Sequence, residues 1–263
     1  MAQDIEEGDE WDSDYFEYGA KVNMVIGNHM FSLNGFYGRA NSSESIITGA
    51  VMDPLWGGEI PLFTPDEDGL FHVNLTTRGY FPRQKFVGAT YNYELKFLKS
   101  STLGGVAPVM RAEAMYEFDH TFVNQDFEFV KSDYLRTGVS LDWKAKLRSL
   151  NEKAYFTIMP QFFYDRILDE KSGWDVGLDK NSYALGLLLE TTYLNARLKP
   201  SLAWLHDFNG EADLLLPSLT YTRTYQWEYT LEGLFIDARE KMDNIDLFTH
   251  KNYIGFKIKY NWS

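Results

Sequence analysis

The chain lacks cysteine, long apolar runs and an excess of basic residues. Its 263 residues include no cysteine, so neither a disulfide framework nor thiolate chemistry is available. No run of about 18 apolar residues occurs, which excludes a transmembrane helix. The 25 Lys and Arg against 38 Asp and Glu give a net charge of −13. Because phosphate contacts need a basic face, we expect no nucleic-acid partner.

Signatures of common enzyme and cofactor sites are also missing. There is no P-loop, dinucleotide-binding glycine motif, zinc spacing or nucleophile elbow. The acidic segments 165–180 and 237–246 offer oxygen ligands of the kind Ca²⁺ takes, but neither has an EF-hand pattern. We therefore expect no catalysis, no cofactor and no metal. The histidines fall near predicted strand ends or in loops, where solvated side chains are expected: His29, His72, His120, His206 and His250.

One enzymatic alternative is a barrel phospholipase, which needs a Ser–His pair on its lipid-facing wall. His29 and Ser32 are the nearest candidates. They are three residues apart on one predicted strand and so face opposite sides. This makes a lipid hydrolase a minor alternative.

The N-terminal segment differs in composition from the rest of the chain. Residues 1–13 are rich in Asp and Glu and are predicted to be disordered, whereas residues 14–263 are predicted to form one domain. Residues 1–7 show neither the basic nor the apolar region of a signal peptide. We therefore expect a mature, truncated or engineered form of an exported protein.

What the sequence has in plenty is aromatic residues, 16% of the chain, and a strict alternation of side-chain character. Successive side chains of a β-strand point to opposite faces, so alternation predicts strands with one apolar and one polar face. The last segment shows the pattern most clearly. Ile254, Phe256, Ile258, Tyr260 and Trp262 fall on one face, and Gly255, Lys257, Lys259 and Asn261 on the other.

The same alternation recurs along the chain and predicts an all-β fold of about eleven or twelve antiparallel strands. The mean hydropathy of −0.34 agrees with a transmembrane β-barrel, because only every second residue of a barrel strand faces lipid. The predicted strands lie at about residues 14–26, 29–39, 85–97, 107–117, 133–147, 153–165, 181–194, 196–206, up to 223 for the ninth, 227–237 and 251–263.

The predicted connections alternate between short and long, as in outer-membrane barrels with periplasmic turns and outer loops. Short ones are 27–28, 98–106, 148–152, 194–195 and 225–226; long ones are 41–84, 118–132, 166–180, 207–211 and 238–250. An odd strand number leaves the N-terminal end outside, which predicts an incomplete barrel. Residues 72–80 are strand-like, and form either a small hairpin within the first long connection or a spanning strand.

Charged residues on the polar face are the strongest functional signal. In a pore they line the lumen and set ion preference; the alternative is a mutually neutralising network that only rigidifies the barrel. The candidates are Glu17, Lys21, Glu94, Lys96, Arg111, Glu113, Arg136, Asp142, Lys144, Glu190, Arg197, Lys199, Glu232, Lys257 and Lys259.

Aromatic residues gather where predicted strands meet short turns. Trp and Tyr are favoured at membrane–water interfaces. We therefore predict a periplasmic aromatic girdle of Trp143, Tyr193, Trp227, Tyr229, Tyr260 and Trp262.

Several local patterns occur in an order that resembles one family. They include 86–91 (Phe-Val-Gly-Ala-Thr-Tyr), 110–116 (Met-Arg-Ala-Glu-Ala-Met-Tyr), 131–142, 160–163 (Pro-Gln-Phe-Phe), 217–221 (Pro-Ser-Leu-Thr-Tyr) and 253–260. Together they resemble the C-terminal half of the large outer-membrane proteins catalogued as domain of unknown function 1302, over most of residues 14–262. The resemblance implies a barrel in the outer membrane of a Gram-negative bacterium, of unestablished activity, and an association with RND-type export systems.

The closing strand also resembles the signal read by the barrel-assembly machinery. Tyr253 and Gly255 are followed by apolar residues at 258 and 260, although Ser263 follows the usual terminal aromatic. The leading hypothesis is an outer-membrane pore for a solute or lipid-like molecule, surrounded by outer-membrane lipid. The alternatives are a structural or export-accessory barrel and a soluble ligand-binding barrel.

Overall fold

The computed structural model describes residues 3–5, 16–40, 44–51, 74–124, 129–168, 179–238 and 251–262. These residues form fourteen strands and no α-helix. In chain order the strands are β1 (Gln3–Ile5), β2 (Tyr18–Ile26), β3 (His29–Arg39), β4 (Glu44–Val51), β5 (Asn74–Tyr80), β6 (Arg83–Glu94), β7 (Val109–Val123), β8 (Phe129–Ala145), β9 (Phe156–Ile167), β10 (Asn181–Glu190), β11 (Leu198–Asp207), β12 (Ala212–Thr222), β13 (Trp227–Ala238) and β14 (Tyr253–Tyr260).

Eleven of these strands form one antiparallel sheet, in the order β14-β13-β12-β11-β10-β9-β8-β7-β6-β3-β2. Each strand pairs with its neighbour along the chain, except that β3 pairs with β6 across the intervening segment. The predicted all-β class is therefore confirmed, with eleven strands in the main sheet. The sheet is open: among the described residues, β2 and β14 are its two edges and do not pair with each other.

The two ends of this sheet carry different connections. We call the end with segments 27–28, 95–108, 146–155, 191–197 and 223–226 the turn end, and the end with segments 40–82, 124–128, 168–180, 208–211 and 239–252 the loop end. The predicted alternation in length is not kept, because 95–108 at the turn end is longer than 124–128 or 208–211 at the loop end. Segment 95–108 contains two 3-10 turns, Lys96–Leu98 and Ser101–Leu103.

The long connection between β3 and β6 contains a second, small sheet. β4 pairs antiparallel with β5, and β1 pairs parallel with β5. β4 also lies against β7. The strand-like segment predicted at residues 72–80 is thus β5, in a hairpin inside the connection; His72 itself lies outside the described residues.

β7 and β8 extend further towards the loop end than predicted. Their pairing shifts register between Glu117 and His120 and then continues to Val123 and Phe129. Asp119, within this irregularity, has a positive φ of 50°. A bulge lets the ladder continue past a mismatch, so residues predicted as the loop 118–132 are instead mostly strand.

Few apolar side chains are buried among the residues that the structure describes. The buried cluster consists of Phe122, Val130 and Ile167, with Tyr134 packed against it, all at the loop end of β7, β8 and β9. The rest of the sheet therefore does not enclose a globular core within the described residues.

Candidate lipid-facing and pore-lining surfaces

The register places the alternating apolar residues of all eleven strands on one side of the sheet. Tyr229 lies opposite Ile258, and Leu231 lies between Phe256 on β14 and Leu219 on β12. We call this side the apolar face and the other the polar face. The apolar face carries Val139, Leu141, Leu187, Leu189, Phe256 and Ile258.

The apolar face is largely uncovered. Leu33 is 63% exposed, Val22 67% and Phe256 63%, although each lies in a strand. Soluble monomers rarely expose a contiguous apolar surface of this extent. The face therefore needs an apolar partner, for which lipid is one candidate.

The polar face collects most of the candidate pore-lining residues. Arg111 lies opposite Ser140, Arg136 opposite Asp165, and Glu228 opposite Lys259, and this parity holds across the sheet. The candidates placed on it are Lys21, Glu94, Arg111, Glu113, Arg136, Asp142, Lys144, Glu190, Lys199, Glu232, Lys257 and Lys259.

Three candidates lie outside the strands to which the sequence pattern assigns them, and their role in a pore stays a prediction. Lys96 belongs to a 3-10 turn, because β6 ends at Glu94. Arg197 belongs to the turn before β11, in which Ala196 has a positive φ of 64°. Glu17 precedes β2. The backbone turns at these strand ends, so the period of two does not extend to the three residues.

Three cross-strand ion pairs connect residues of the polar face. Lys257 Nζ lies 2.7 Å from Glu232 Oε1, Lys199 Nζ 2.9 Å from Glu190 Oε2, and Arg111 Nη2 3.4 Å from Asp142 Oδ2. All join neighbouring strands and are partly exposed, so each stabilises by only about 0–1 kcal/mol. Part of the charge on this face is therefore neutralised locally.

The predicted aromatic girdle is partly brought together. At the turn end of β13 and β14 the ring centroids of Trp227 and Tyr260 are 4.7 Å apart, those of Tyr260 and Trp262 4.8 Å, and those of Trp227 and Tyr229 6.3 Å. Trp143 lies two residues before the end of β8, and Tyr193 bridges to Leu198, so both lie at the turn end but away from this cluster.

A second aromatic cluster at the turn end was not predicted. The rings of His29 and Tyr93 stack at 4.5 Å, those of Phe31 and Tyr91 at 5.0 Å, and His29 Nδ1 lies 2.8 Å from the Tyr91 hydroxyl. All four belong to the apolar face of β3 and β6. The signal was present in the sequence, since Tyr91 and Tyr93 alternate on that face close to the predicted strand end.

Aromatic side chains also mark the loop end of the apolar face. Tyr164 and Tyr183 stack at 5.1 Å, and Trp204 and His206 at 6.0 Å. Trp227 and Phe235 bound the apolar face of β13 at its two ends. Their separation of eight residues corresponds to roughly 26 Å along the strand at about 3.3 Å per residue. The apolar face thus has aromatic side chains at both its turn end and its loop end, with an apolar band between them.

A buried polar cluster lies on the polar face at the loop end. Glu117 is 3% exposed, and its Oε1 lies 2.8 Å from His120 Nδ1. The Tyr134 hydroxyl donates to Asp165 Oδ2 at 3.1 Å, while the Arg136 guanidinium lies 4.6 Å from the centroid of the Tyr134 ring. The Glu117–His120 contact spans the β7 irregularity and depends on the bulge, so sequence alternation does not indicate it.

Sites for other chemistry find little support in the geometry. His29 and Ser32 fall on opposite faces of β3, as expected from their spacing. Across the described ranges, no group of three His, Asp or Glu side chains converges in a way that could hold a metal ion. In the same residues no helix has the length and apolar character needed to cross a membrane.

Comparisons with known proteins leave the chain without a relative on which to base an assignment. No protein-family model, no curated protein and no solved structure matches it. A functional assignment therefore depends on the two faces of the main sheet.

Proposed function

We propose that this chain is a bacterial outer-membrane β-barrel protein that acts as a pore for a solute or lipid-like molecule, without catalysis. The observation that supports this most strongly is the exposed apolar face that continues across eleven antiparallel strands, opposite a polar face. A membrane β-barrel needs this distribution, with lipid outside and water inside. A soluble ligand-binding barrel needs the inverse.

The aromatic zones at the two ends of the apolar face support the same proposal. Trp227 and Tyr260 at one end, and Trp204 and Tyr183 at the other, correspond to the interface belts of membrane barrels. The resemblance to the outer-membrane family of unknown function, assembly through the closing strand and association with an RND-type exporter belong to this proposal.

A structural or export-accessory barrel is the second candidate function. The cross-strand ion pairs Glu190–Lys199 and Glu232–Lys257 favour it, because paired charges rigidify a sheet and offer less to a passing ion. A pore should conduct ions across a bilayer, whereas a structural or export-accessory barrel should not.

Electrical recording in planar bilayers tests the pore. The protein should produce discrete conductance steps, and Lys144→Glu should shift the reversal potential in a salt gradient towards cation preference, because Lys144 is an exposed cation on the polar face. Arg148→Glu is the matched control: it reverses an exposed charge in the turn after β8. Absence of conductance from membrane-inserted protein would contradict the pore and favour the structural role.

A further inference from the structure

A pocket opens at the loop end of β11, β12 and β13. Apolar side chains of Trp204, Leu215 and Phe235 line it together with the polar side chains of Asp213, Asp237 and Asn252. Asn252 is held in place, since its Oδ1 accepts a hydrogen bond from the Ile236 amide at 2.6 Å. We call Trp204, Leu215 and Phe235 the apolar floor of the pocket, and Asp213, Asp237 and Asn252 its polar rim.

The two carboxylates are an unusual pair for an apolar face. Asp213 and Asp237 lie directly opposite each other on β12 and β13, an arrangement that destabilises a sheet when both are charged. Trp204 Nε1 donates to Asp213 Oδ1 at 2.8 Å, and His206 Nδ1 lies 3.0 Å from the same oxygen. In the part of the chain that the structure describes, neither carboxylate forms an ion pair with Lys or Arg. Among the described residues the pair thus has no Lys or Arg partner, and a ligand with a cationic group would complement it.

We propose that this pocket binds a membrane lipid whose headgroup carries a primary amine. The ammonium group has three N–H donors, and it neutralises Asp213 and Asp237 together. The acyl chain of the same molecule lies on Trp204, Leu215 and Phe235. This inference rests on the proposed function, because it needs the apolar face to contact lipid.

A divalent cation fits the pocket less well. Ca²⁺ takes about six to eight oxygen ligands, whereas no group of three ligating side chains converges in the described residues. The apolar floor has no role in binding a bare ion, but it suits an amphiphile. The combination of floor and rim is what selects a lipid.

Native mass spectrometry of the protein released from detergent micelles tests the pocket. The probe lipids are phosphatidylethanolamine, which has a primary amine, and phosphatidylcholine, whose quaternary amine has no N–H donor. Wild type should retain the first lipid preferentially. Asp213→Asn with Asp237→Asn should reduce that retention roughly tenfold or more, because a hydrogen bond to a charged group stabilises by about 1.5–3 kcal/mol.

Two further variants separate the parts of the pocket. Phe235→Ala should weaken retention of phosphatidylethanolamine by shortening the apolar floor. In a separate test on the wild-type protein, free ethanolamine should fail to compete with the lipid, because it has no acyl chain. Glu211→Gln is the matched control, since it removes an exposed carboxylate from the same hairpin and should change nothing. Equal retention of the two lipids, or retention unchanged in the double variant, would overturn the proposal. If free ethanolamine competes for the pocket, the proposal that the ligand is a lipid is wrong.

Flotation with vesicles of phosphatidylethanolamine and phosphatidylglycerol keeps this proposal separate from the pore. Wild-type protein that fails to float contradicts the membrane location itself. If the protein floats but retains phosphatidylethanolamine and phosphatidylcholine equally in the mass-spectrometry test, only the pocket assignment is contradicted.

Discussion

At the scale of single residues, one side chain ties two neighbouring turns together. Asn151 is buried, and its Nδ2 donates to the Thr192 carbonyl at 2.8 Å and to Thr191 Oγ1 at 3.3 Å. Its Oδ1 accepts from the amides of Lys153 and Ala154, both at 3.1 Å. The amide thus joins segments 146–155 and 191–197 at the turn end, beside the hydrogen bond from Thr191 Oγ1 to the Tyr155 carbonyl.

Replacing this amide should destabilise the protein. Asn151→Ala leaves several polar groups without partners and should lower the free energy of unfolding by about 1–3 kcal/mol. Urea unfolding of micelle-embedded protein, followed by tryptophan fluorescence, measures the change. Glu152→Ala, next to it and exposed, should stay within about 0.5 kcal/mol of wild type. If both variants change the free energy of unfolding equally, the hydrogen bonds of Asn151 do not stabilise the protein.

At the scale of elements, the period of two along each strand decides which residues face together. Val139 on β8 lies between Ala112 on β7 and Phe162 on β9, while the next residue, Ser140, lies between Arg111 and Gln161. Adjacent residues of one strand therefore meet different environments. This is why face assignments made from alternation agree with the register wherever the segment is a strand.

A charge introduced on the two faces should give opposite results. Val139 is 47% exposed on the apolar face, so Val139→Arg should cost about 2–4 kcal/mol near the middle of a bilayer. Ser140→Arg places the same charge one residue further, on the polar face, and should cost little. Equilibrium refolding into lipid vesicles measures both. If Val139→Arg leaves the free energy of folding unchanged, the proposal that β8 contacts lipid is wrong.

At the scale of the whole molecule, the parity of the main sheet constrains how it can close. Because all neighbours in the eleven-stranded sheet are antiparallel, β2 and β14 run in the same direction. If β2 paired directly with β14 to close the sheet, the two strands would be parallel. Closure through antiparallel pairs requires an odd number of further strands between β2 and β14. Under the proposed membrane location, unpaired backbone groups in lipid cost several kcal/mol each, so we expect the two edges to be the least stable part of the sheet.

Hydrogen exchange should reveal the two edges. In micelles, the amides of β2 and β14 that point away from the sheet should exchange faster than those of β8 and β9 at its centre. Nuclear magnetic resonance resolves the exchange of single amides, and the inward-pointing amides of β2, paired to β3, are the internal control. Full protection of both edges would show that they are covered, contrary to the open sheet.

The sequence by itself determined the all-β class, the eleven strands of the main sheet and the face on which residues such as Phe256 and Lys257 lie. These depend on local backbone geometry, whose period of two is written directly into the order of side chains. Only the tertiary structure decided the pairing of β5 with β4, the continuation of β7 past Glu117, and the turns that remove Lys96 and Arg197 from the polar face. It also decided that Asp213 meets Asp237 above an apolar floor. Those features depend on register and on contacts between residues distant along the chain, which no local pattern specifies.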